Sequence, residues 1–219
     1  KWQLPMEFIP QISERCRQKN ILFGCTPFYL DAVNELEPYV DFFKIASYEL
    51  LWLDLISKCS QTLKPLILST GMASIPEITK AIEISRNANC SDLSLLHCVS
   101  GYPTPINQCN LKALETLREL DENIKVGWSD HSKNTFVLNR VIHYWGAEII
   151  EFHLDLEGNG EEYKSGHCWL PHQISEVIST VNSGFEADGE KKIGPSKSEL
   201  SECDWRADPS DGLRPILTV

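Results

Sequence analysis

Two histidines end two apolar segments of the sequence and could share a metal ion. His131 closes the segment GWSDH and His153 closes EIIEFH. If these segments are neighbouring parallel strands, they lie about 4.8 Å apart, and two imidazoles there can hold one divalent cation with open positions for water or substrate. The alternative is two core histidines bonded to backbone. Asp130 and Glu151 stand beside them as catalytic candidates, and Asp130 could instead orient a ligating histidine.

A lysine within an apolar segment indicates an anion nearby. Lys44 lies in DFFKIAS, where an unpaired buried ammonium would be costly. Lys1, in KWQ, could be a second such group. Two lysines and several hydroxyl donors suit a ligand with a phosphate and a carboxylate. The alternatives for Lys44 are a side chain that reaches solvent or a structural ion pair with Glu49 or a nearby aspartate. The hydroxyl donors that we single out are Thr26, Ser47 and Ser129.

Two loops follow predicted strands directly and have two interpretations each. In HCVSGYPTP (97–105), Tyr102 either presents its hydroxyl to a ligand or packs as a ring in a rigid turn. In STGM (69–72), Gly71 either lets the backbone approach a ligand or lets the chain turn.

Six apolar segments alternate with helical ones, which indicates an α/β fold with a parallel sheet. Ser74 and Glu77 predict a capping box at the start of one helix. Asn110 could cap another helix, and a helix beginning near Pro171 should stop at Gly184. The predicted strands are ILFG (21–24), DFFKIA (41–46), PLILST (65–70), LSLLHC (93–98), IKVGW (124–128) and AEIIEFH (147–153).

An open doubly wound sheet and a closed (β/α)₈ TIM barrel both fit this alternation. No glycine-rich nucleotide-binding motif is present, and polar residues gather at the C-terminal ends of successive strands, where a barrel builds its active site. We therefore predict a TIM barrel over residues 1–184, with its first strand upstream of this chain or missing from it. Residues 185–219 should form an extended tail or arm, with a short helix near Ser198 to Cys203.

Composition limits the partners of this protein. The net charge of -11 argues against binding to nucleic acids or membrane surfaces, which needs a basic field. No apolar run approaches the roughly 20 residues that span a bilayer. The eight cysteines form no C-x-x-C pair, and we favour reduced, mostly buried thiols in a cytoplasmic protein over disulfides.

Seven short blocks, in the same order, resemble the N-acetylneuraminate (sialic acid) synthase family of the bacterial NeuB type. The likeness runs from residue 1 to about residue 200, and the order of the blocks makes it specific. The blocks are KWQ, CTPF, FKIAS, STGM, LLHCVSGYP, GWSDH and EFHLD.

The resemblance implies a TIM-barrel enzyme that condenses phosphoenolpyruvate with an N-acetylated amino-sugar aldehyde. The products would be a nine-carbon 2-keto acid sugar (a nonulosonic acid) and phosphate. The resemblance also implies a divalent ion, Mn²⁺ or Mg²⁺, and allows a homodimer. The residues that match the family's binding positions are His131 and His153 for the metal, Lys1, Lys44, Thr26, Ser47, Ser129 and Glu151 for phosphoenolpyruvate, and Gln3 and Tyr102 for the sugar.

The sequence departs from the family at positions that contact the sugar. Gly101 replaces an asparagine and Phe152 replaces a lysine. The family's Asp-His pair between His153 and Pro171 is missing, and the C-terminal antifreeze-like domain has no counterpart. We therefore expect a different sugar aldehyde, on a route to a legionaminic- or pseudaminic-type acid or another surface-polysaccharide sugar. The imperfect substitutes for the Asp-His pair are Glu161, Glu162 and His167.

Two alternatives remain beside this hypothesis. One is a catalytically idle barrel that binds a sugar or phosphoester, or that serves as an assembly partner. The other is a metal-dependent aldolase or deoxy-sugar-acid phosphate synthase that shares the barrel and the type of substrate. Retention of costly charged residues such as Lys44 and Glu151 favours an enzyme.

Overall fold

The computed structural model describes residues 4–216. The described chain divides after Val181 into two units. Lys1 and Gln3, which we predicted to bind ligands, lie outside the described residues, so their roles stay predictions. Within residues 4–216, no helix combines the length and the apolar character that a membrane crossing requires.

The first unit contains six parallel strands whose spatial order follows the chain. Five of the six predicted strands are confirmed, whereas the first strand shares only Gly24 with its predicted segment ILFG. A sheet order without a reversal lacks the switch point of a doubly wound fold, and it is the order of a barrel wall. The strands are β1 (Gly24–Cys25), β2 (Phe42–Ile45), β3 (Leu66–Ser69), β4 (Leu93–Cys98), β5 (Lys125–Asp130) and β6 (Ile150–Phe152).

The central strands are covered on both faces. Leu95 and Leu96 are consecutive in β4 and point to opposite faces, yet both are fully buried. This explains why the strands read as continuous apolar runs rather than alternating ones. Gly127 lets β5 approach the next segment closely, because a Cβ there would lie 2.2 Å from the carbonyl oxygen of Ile149.

Helices separate the strands and bury their apolar faces against the sheet. Leu114 and Leu117 of α5, for example, are buried in the core. The α-helices of the described chain are α1 (Ile9–Gln18), α2 (Leu30–Leu36), α3 (Leu53–Gln61), α4 (Ile75–Asn87), α5 (Ala113–Leu120), α6 (Thr135–His143), α7 (Glu161–Lys164) and α8 (Pro171–Asp188).

One helix-capping prediction is confirmed and two are wrong. The capping box is present, since the Glu77 carboxylate accepts from the backbone N–H and the hydroxyl of Ser74, both at 2.7 Å. Asn110 does not cap α5: its backbone has φ +44° and its carbonyl instead accepts from Ala113. Helix α8 continues past Gly184 to Asp188, and Gly189 takes the left-handed conformation that follows it.

A short pairing extends the sheet beyond β6. Leu154 and Trp169 form a parallel bridge. The Trp169 N–H donates to the His153 carbonyl at 2.8 Å, and the Asp155 N–H donates to the Trp169 carbonyl at 2.9 Å. The chain between these residues therefore leaves β6 and returns beside it as a loop that contains α7.

The second unit begins at Asn182 and contains one further element. A 3-10 helix spans Lys197–Trp205, and Ser196 with Glu199 forms a capping box at its start. The short helix predicted near Ser198 to Cys203 is thereby confirmed, although it is longer than predicted and has 3-10 geometry.

Candidate active site

Polar side chains at the C-terminal ends of β2, β3, β5 and β6 form one connected network. Lys44 in β2 donates to the Ser69 hydroxyl of β3 at 2.7 Å. Its ammonium also lies 3.3 Å from Glu151 Oε2 in β6. The other oxygen of Glu151 accepts from the Ser129 hydroxyl at 2.9 Å, because the sheet register pairs Ser129 with Glu151. We call Lys44, Ser69, Ser129 and Glu151 the strand half of the site.

Lys44 pairs with Glu151, which lies in another strand, and not with Glu49, which is nearer in the sequence. The side chain of Lys44 is 13% exposed and that of Glu151 is 37% exposed. A buried ammonium is stable only beside an anion, and Glu151 meets this need while keeping an exposed edge. Burial raises the pKa of Glu49, although Lys44 nearby acts in the opposite direction. The Lys44 ammonium is thus held in place by Glu151, Ser69 and the Ile45 carbonyl.

Hydrogen-bond donors suitable for an anion lie beside this network. Ser47 begins a 3-10 turn after β2 and accepts from the Gly71 N–H at 3.0 Å. A Cβ at Gly71 would lie 2.8 Å from the Ser47 hydroxyl, so glycine is needed for this close approach. Thr26 follows β1 directly, and the pairing of Cys25 with Phe43 continued by one residue sets Thr26 beside Lys44.

The two predicted metal-binding histidines are brought together. Their ring centroids lie 5.2 Å apart, because Asp130 pairs with Phe152 and each histidine is the next residue. His131 is buried and its Nδ1 lies 2.9 Å from the carbonyl oxygen of Val99. A carbonyl only accepts, so Nδ1 carries a proton and Nε2 is the nitrogen left to bind a metal. This is the orientation of an imidazole prepared to bind a metal.

Tyr102 lies against the histidines. Its ring centroid is 4.2 Å from that of His131 and 6.0 Å from that of His153. Burial raises the pKa of Tyr102 to about 12, so its hydroxyl stays protonated at neutral pH and can donate to a ligand. Burial opposes a charge on His131, but hydrogen bonds to Cys98 and to the Val99 carbonyl outweigh it and raise the His131 pKa.

Asp130 occupies a different position from that expected of a catalytic carboxylate. It is fully buried. Oδ1 accepts from the Trp128 indole at 3.1 Å and from the Ser132 hydroxyl at 2.6 Å. Oδ2 accepts from the Trp169 indole at 3.0 Å and from the Lys133 N–H at 3.2 Å. Both oxygens thus accept from donors of the protein. His131 is instead oriented by the hydrogen bond that it donates to the Val99 carbonyl.

The structure adds residues that sequence reasoning missed or assigned only loosely. His167 joins the aromatic cluster, with its ring centroid 4.7 Å from His153 and 5.0 Å from Tyr102. One ligand atom from each of His153, Glu162, His167 and Cys168 lies within 4.8 Å of the others. We call Glu162, His167 and Cys168 the loop half of the site. The sequence signal for His167 and Cys168 is the segment GHC (166–168), which directly precedes the bridge residue Trp169.

The donors at this end of the sheet fit a divalent ion. Imidazole nitrogens, a carboxylate and a thiol are the groups that bind transition metals in proteins. His167 is 4% exposed and its Nδ1 has no hydrogen-bond partner among the described residues. Burial and the neighbouring His153 and His131 lower the pKa of His167, which keeps its imidazole neutral and able to ligate.

Gly101 marks a space beside Tyr102. The nearest atoms to a Cβ built at Gly101 would be the Pro103 carbonyl oxygen and the Thr104 Cα, both at 3.9 Å. The glycine is therefore not required by packing, and its effect is to leave room next to the aromatic cluster.

Comparison with protein families shows which family the chain belongs to. A family model described as the NeuB family matches residues 1–193. The chain belongs to the NeuB family. Among its relatives are the N,N'-diacetyllegionaminic acid synthase of Campylobacter jejuni, 32% identical over 91% of this chain, and the pseudaminic acid synthase of Helicobacter pylori, also 32% identical over 91%. The chain spans about three fifths of the length of these NeuB-family relatives, 60% and 59% respectively.

Solved structures agree with this kinship. The N-acetylneuraminic acid synthetase of Leptospira borgpetersenii, determined in complex with citrate, has a TM-score of 0.78 and 32% identity. The match covers 91% of this chain and 70% of the other. A truncated 3-deoxy-D-arabino-heptulosonate 7-phosphate synthase from Thermotoga maritima, at 17% identity and TM-score 0.73, shares the fold.

Proposed function

We propose that this NeuB-family protein condenses phosphoenolpyruvate with an N-acetylated amino-sugar aldehyde to give a nonulosonic acid and phosphate. The observation that carries the proposal is the strand half of the site, a lysine locked to a carboxylate, directly beside the His131–His153 pair. Such charges are costly to bury and would have no use in an idle scaffold. The proposed protein is a TIM-barrel enzyme over residues 1–184, with residues 185–219 as an appended tail and a homodimer as a further option.

The strand half would bind phosphoenolpyruvate. Lys44 would meet its phosphate or carboxylate, because its ammonium is held in place by Ser69 and Glu151 before any ligand arrives. The hydroxyl groups of Thr26 and Ser47 would donate to the remaining oxygens, and that of Ser129 would do so by releasing its hydrogen bond to Glu151. Lys1 and Gln3 are proposed to complete the phosphoenolpyruvate and sugar sites as the resemblance implies.

His131 and His153 would hold the divalent ion, for which the resemblance implies Mn²⁺ or Mg²⁺. The chemistry that a bound ion supplies here is Lewis-acid polarisation of the sugar aldehyde. Val99 fixes the ring of His131 by accepting its Nδ1–H. Asp130 acts as a positioning residue, since its carboxylate joins β5 to Trp169 beside the site.

The bond-forming step would join C3 of phosphoenolpyruvate to the aldehyde carbon. C2 would then take up water, and phosphate would leave by cleavage of the C2–O bond. Glu151 faces this centre with one oxygen bonded to Ser129 and the other beside Lys44. A carboxylate in this position can orient the attacking water or stabilise the positive charge that develops at C2.

The sugar would contact the side chains that differ from the family. Tyr102 donates from a hydroxyl that stays protonated, and Gly101 leaves space beside it. We therefore propose an aldehyde with a larger or differently placed substituent at this position, leading to a legionaminic- or pseudaminic-type acid. Restoring the side chain with Gly101→Asn should shift the preference among aldehydes at least about 10-fold in kcat/KM.

Phosphate release tests the proposal. The purified protein is incubated with phosphoenolpyruvate and each of several N-acetylated amino-sugar aldehydes, with Mn²⁺, with Mg²⁺ and after chelation. Metal-dependent phosphate release with one aldehyde, lost in Glu151→Gln and kept in the control Lys125→Met, is the expected result. Lys125 is a matched control because it makes an exposed ion pair with Asp92 at 3.0 Å. Absence of phosphate release with every aldehyde would overturn the proposal.

A further inference from the structure

We propose that this chain builds a thiolate-containing metal site from His153, Glu162, His167 and Cys168, suited to Zn²⁺, Fe²⁺ or Co²⁺ rather than to Mn²⁺ or Mg²⁺. The inference rests on the proposed function and revises the ion proposed there for the His131–His153 pair: His153 would bind it together with the loop half, whose thiolate favours a softer metal than Mn²⁺ or Mg²⁺. It goes further by assigning the remaining ligands to the loop half, where this chain departs from the family pattern.

The geometry is close to that of a bound ion. One ligand atom from each of the four residues lies within 4.8 Å of the other three. Ligands of a tetrahedral zinc ion, at bond lengths of about 2.0–2.3 Å, are separated by roughly 3.3–3.8 Å. The ligand atoms would therefore have to approach one another by about 1 Å to take up this geometry.

Burial provides an independent indication that a ligand belongs here. His167 and Cys168 are 4% and 1% exposed. The Nδ1 atom of His167 is buried and has no hydrogen-bond partner among residues 4–216. Buried polar atoms normally have a partner, and a metal ion held by the neighbouring thiol and imidazole would satisfy this nitrogen or fix the ring that carries it.

The backbone holds these residues in place before a metal arrives. The Trp169 N–H donates to the His153 carbonyl at 2.8 Å, which sets Cys168 beside His153. Asp155 accepts from the N–H of Glu157 at 3.0 Å and turns the chain towards α7. Tyr163 belongs to α7, and the Lys133 ammonium lies over its ring, 4.7 Å from the centroid. Glu162, in the same helix, lies 3.5 Å from Nδ1 of His153.

The donor set determines the class of metal. A thiolate is a soft ligand that favours Zn²⁺, Fe²⁺ and Co²⁺, whereas Mn²⁺ and Mg²⁺ prefer oxygen. One thiolate and one carboxylate neutralise a divalent charge, and two neutral imidazoles complete four ligands. Glu162 has a side chain that is 74% exposed, so it is the ligand that water or substrate can replace. An open position of this kind is typical of catalytic rather than structural zinc sites.

Cobalt titration tests the ligands directly. The purified protein is stripped with chelator and titrated with Co²⁺, and the near-ultraviolet band of a cobalt–thiolate bond is measured together with Zn²⁺ competition. We expect this band in the parent protein and its loss in Cys168→Ser. We expect at least about 100-fold weaker Zn²⁺ binding in His167→Ala and about 10-fold weaker binding in the exposed Glu162→Gln. Cys203→Ser, in the second unit, is the matched control and should keep the band.

The outcomes separate this inference from the proposed function. A cobalt–thiolate band without phosphate release would support the site and overturn the function. Phosphate release with Mn²⁺ and no cobalt–thiolate band would overturn the site and support the function. A band that survives Cys168→Ser but disappears in Cys98→Ser, whose sulfur lies 3.9 Å from His131 Nδ1, would also overturn it. If the circular dichroism spectrum shows that Cys168→Ser is misfolded, the proposed site is judged by the presence or absence of the cobalt–thiolate band in the parent protein.

Discussion

The strand half and the loop half of the site are positioned by different means. Lys44, Ser129 and Glu151 sit within paired strands, where the register sets the spacing of neighbours. His167 and Cys168 sit at the end of a loop and reach the site through one bridge, between Leu154 and Trp169. His153 lies at the junction of the two halves. The residues that match the family's phosphoenolpyruvate positions include Lys44, Ser129 and Glu151 of the strand half, whereas the loop half stands where the family's Asp-His pair is missing.

The different constraints on the strand half and the loop half would allow such a site to change its substrate and keep its reaction. A strand residue is constrained by two neighbouring strands and by the core behind them, so replacing it disturbs the whole wall. A loop residue is constrained by a few hydrogen bonds at its ends. The loop residues that we propose to bind the metal can therefore vary, while the strand residues that we propose to bind phosphoenolpyruvate keep their places.

The largest effect should come from the strand half. Lys44→Met removes the charge that we propose to meet phosphoenolpyruvate and leaves Glu151 without its partner. We expect kcat/KM for phosphate release to fall at least about 1,000-fold, with cobalt binding by the loop half retained. Steady-state kinetics and cobalt absorption measure the two quantities. Equal loss of both would contradict the separation of the halves.

Asp130 links the two halves, and its removal should cost stability. Asp130→Ala leaves the indole N–H groups of Trp128 and Trp169 and the Lys133 N–H without their buried acceptor. We expect the free energy of unfolding to fall by about 3–5 kcal/mol. Urea denaturation followed by tryptophan fluorescence measures this loss. Asp130→Asn, which keeps one acceptor oxygen, should lose less, and a loss below about 1 kcal/mol for the alanine variant would show that the link is unimportant.

A substitution at Gly71 should disturb Ser47, which we propose to bind phosphoenolpyruvate, and leave the loop half unchanged. Its Cβ would lie 2.5 Å from the Ser100 hydroxyl and 2.8 Å from that of Ser47, so Gly71→Ala must displace Ser47. We expect KM for phosphoenolpyruvate to rise about 10-fold, while the affinity for Zn²⁺ stays the same. Gly194→Ala is a control in open space. An unchanged KM would exclude Ser47 from the phosphoenolpyruvate site.

The smallest effect should come from the turn that opens the loop half. Asp155 accepts from the N–H groups of Glu157 at 3.0 Å and Gly158 at 2.5 Å. Asp155→Ala should lower the free energy of unfolding by about 1 kcal/mol and weaken Zn²⁺ binding about 10-fold, since the ligands would lose their pre-organisation. Chemical denaturation and zinc competition measure these changes. Zinc affinity equal to that of the parent protein would show that the loop orders itself without the turn.

The sequence could predict much of the strand half, because apolar runs locate strands and a parallel sheet aligns their ends. Lys44, Ser129 and Glu151 were found in this way, and the structure joins them in one network. The position of Asp130 could not be predicted in the same way, since Trp169 reaches it from 39 residues away. Cys168 escaped notice as a ligand because a buried cysteine is common and its nearness to His153 depends on how the loop returns.

The sequence by itself determined the alternation of strands and helices, the family, and the polar residues that follow each strand. These depend on local patterns of apolar and polar side chains, which can be read without knowing the contacts. The tertiary structure alone decided that Lys44 pairs with Glu151, that Asp130 binds two indoles, and that His167 and Cys168 meet His153. Those contacts join residues distant in the chain, and only the packing of the folded sheet and its loops brings their atoms within reach.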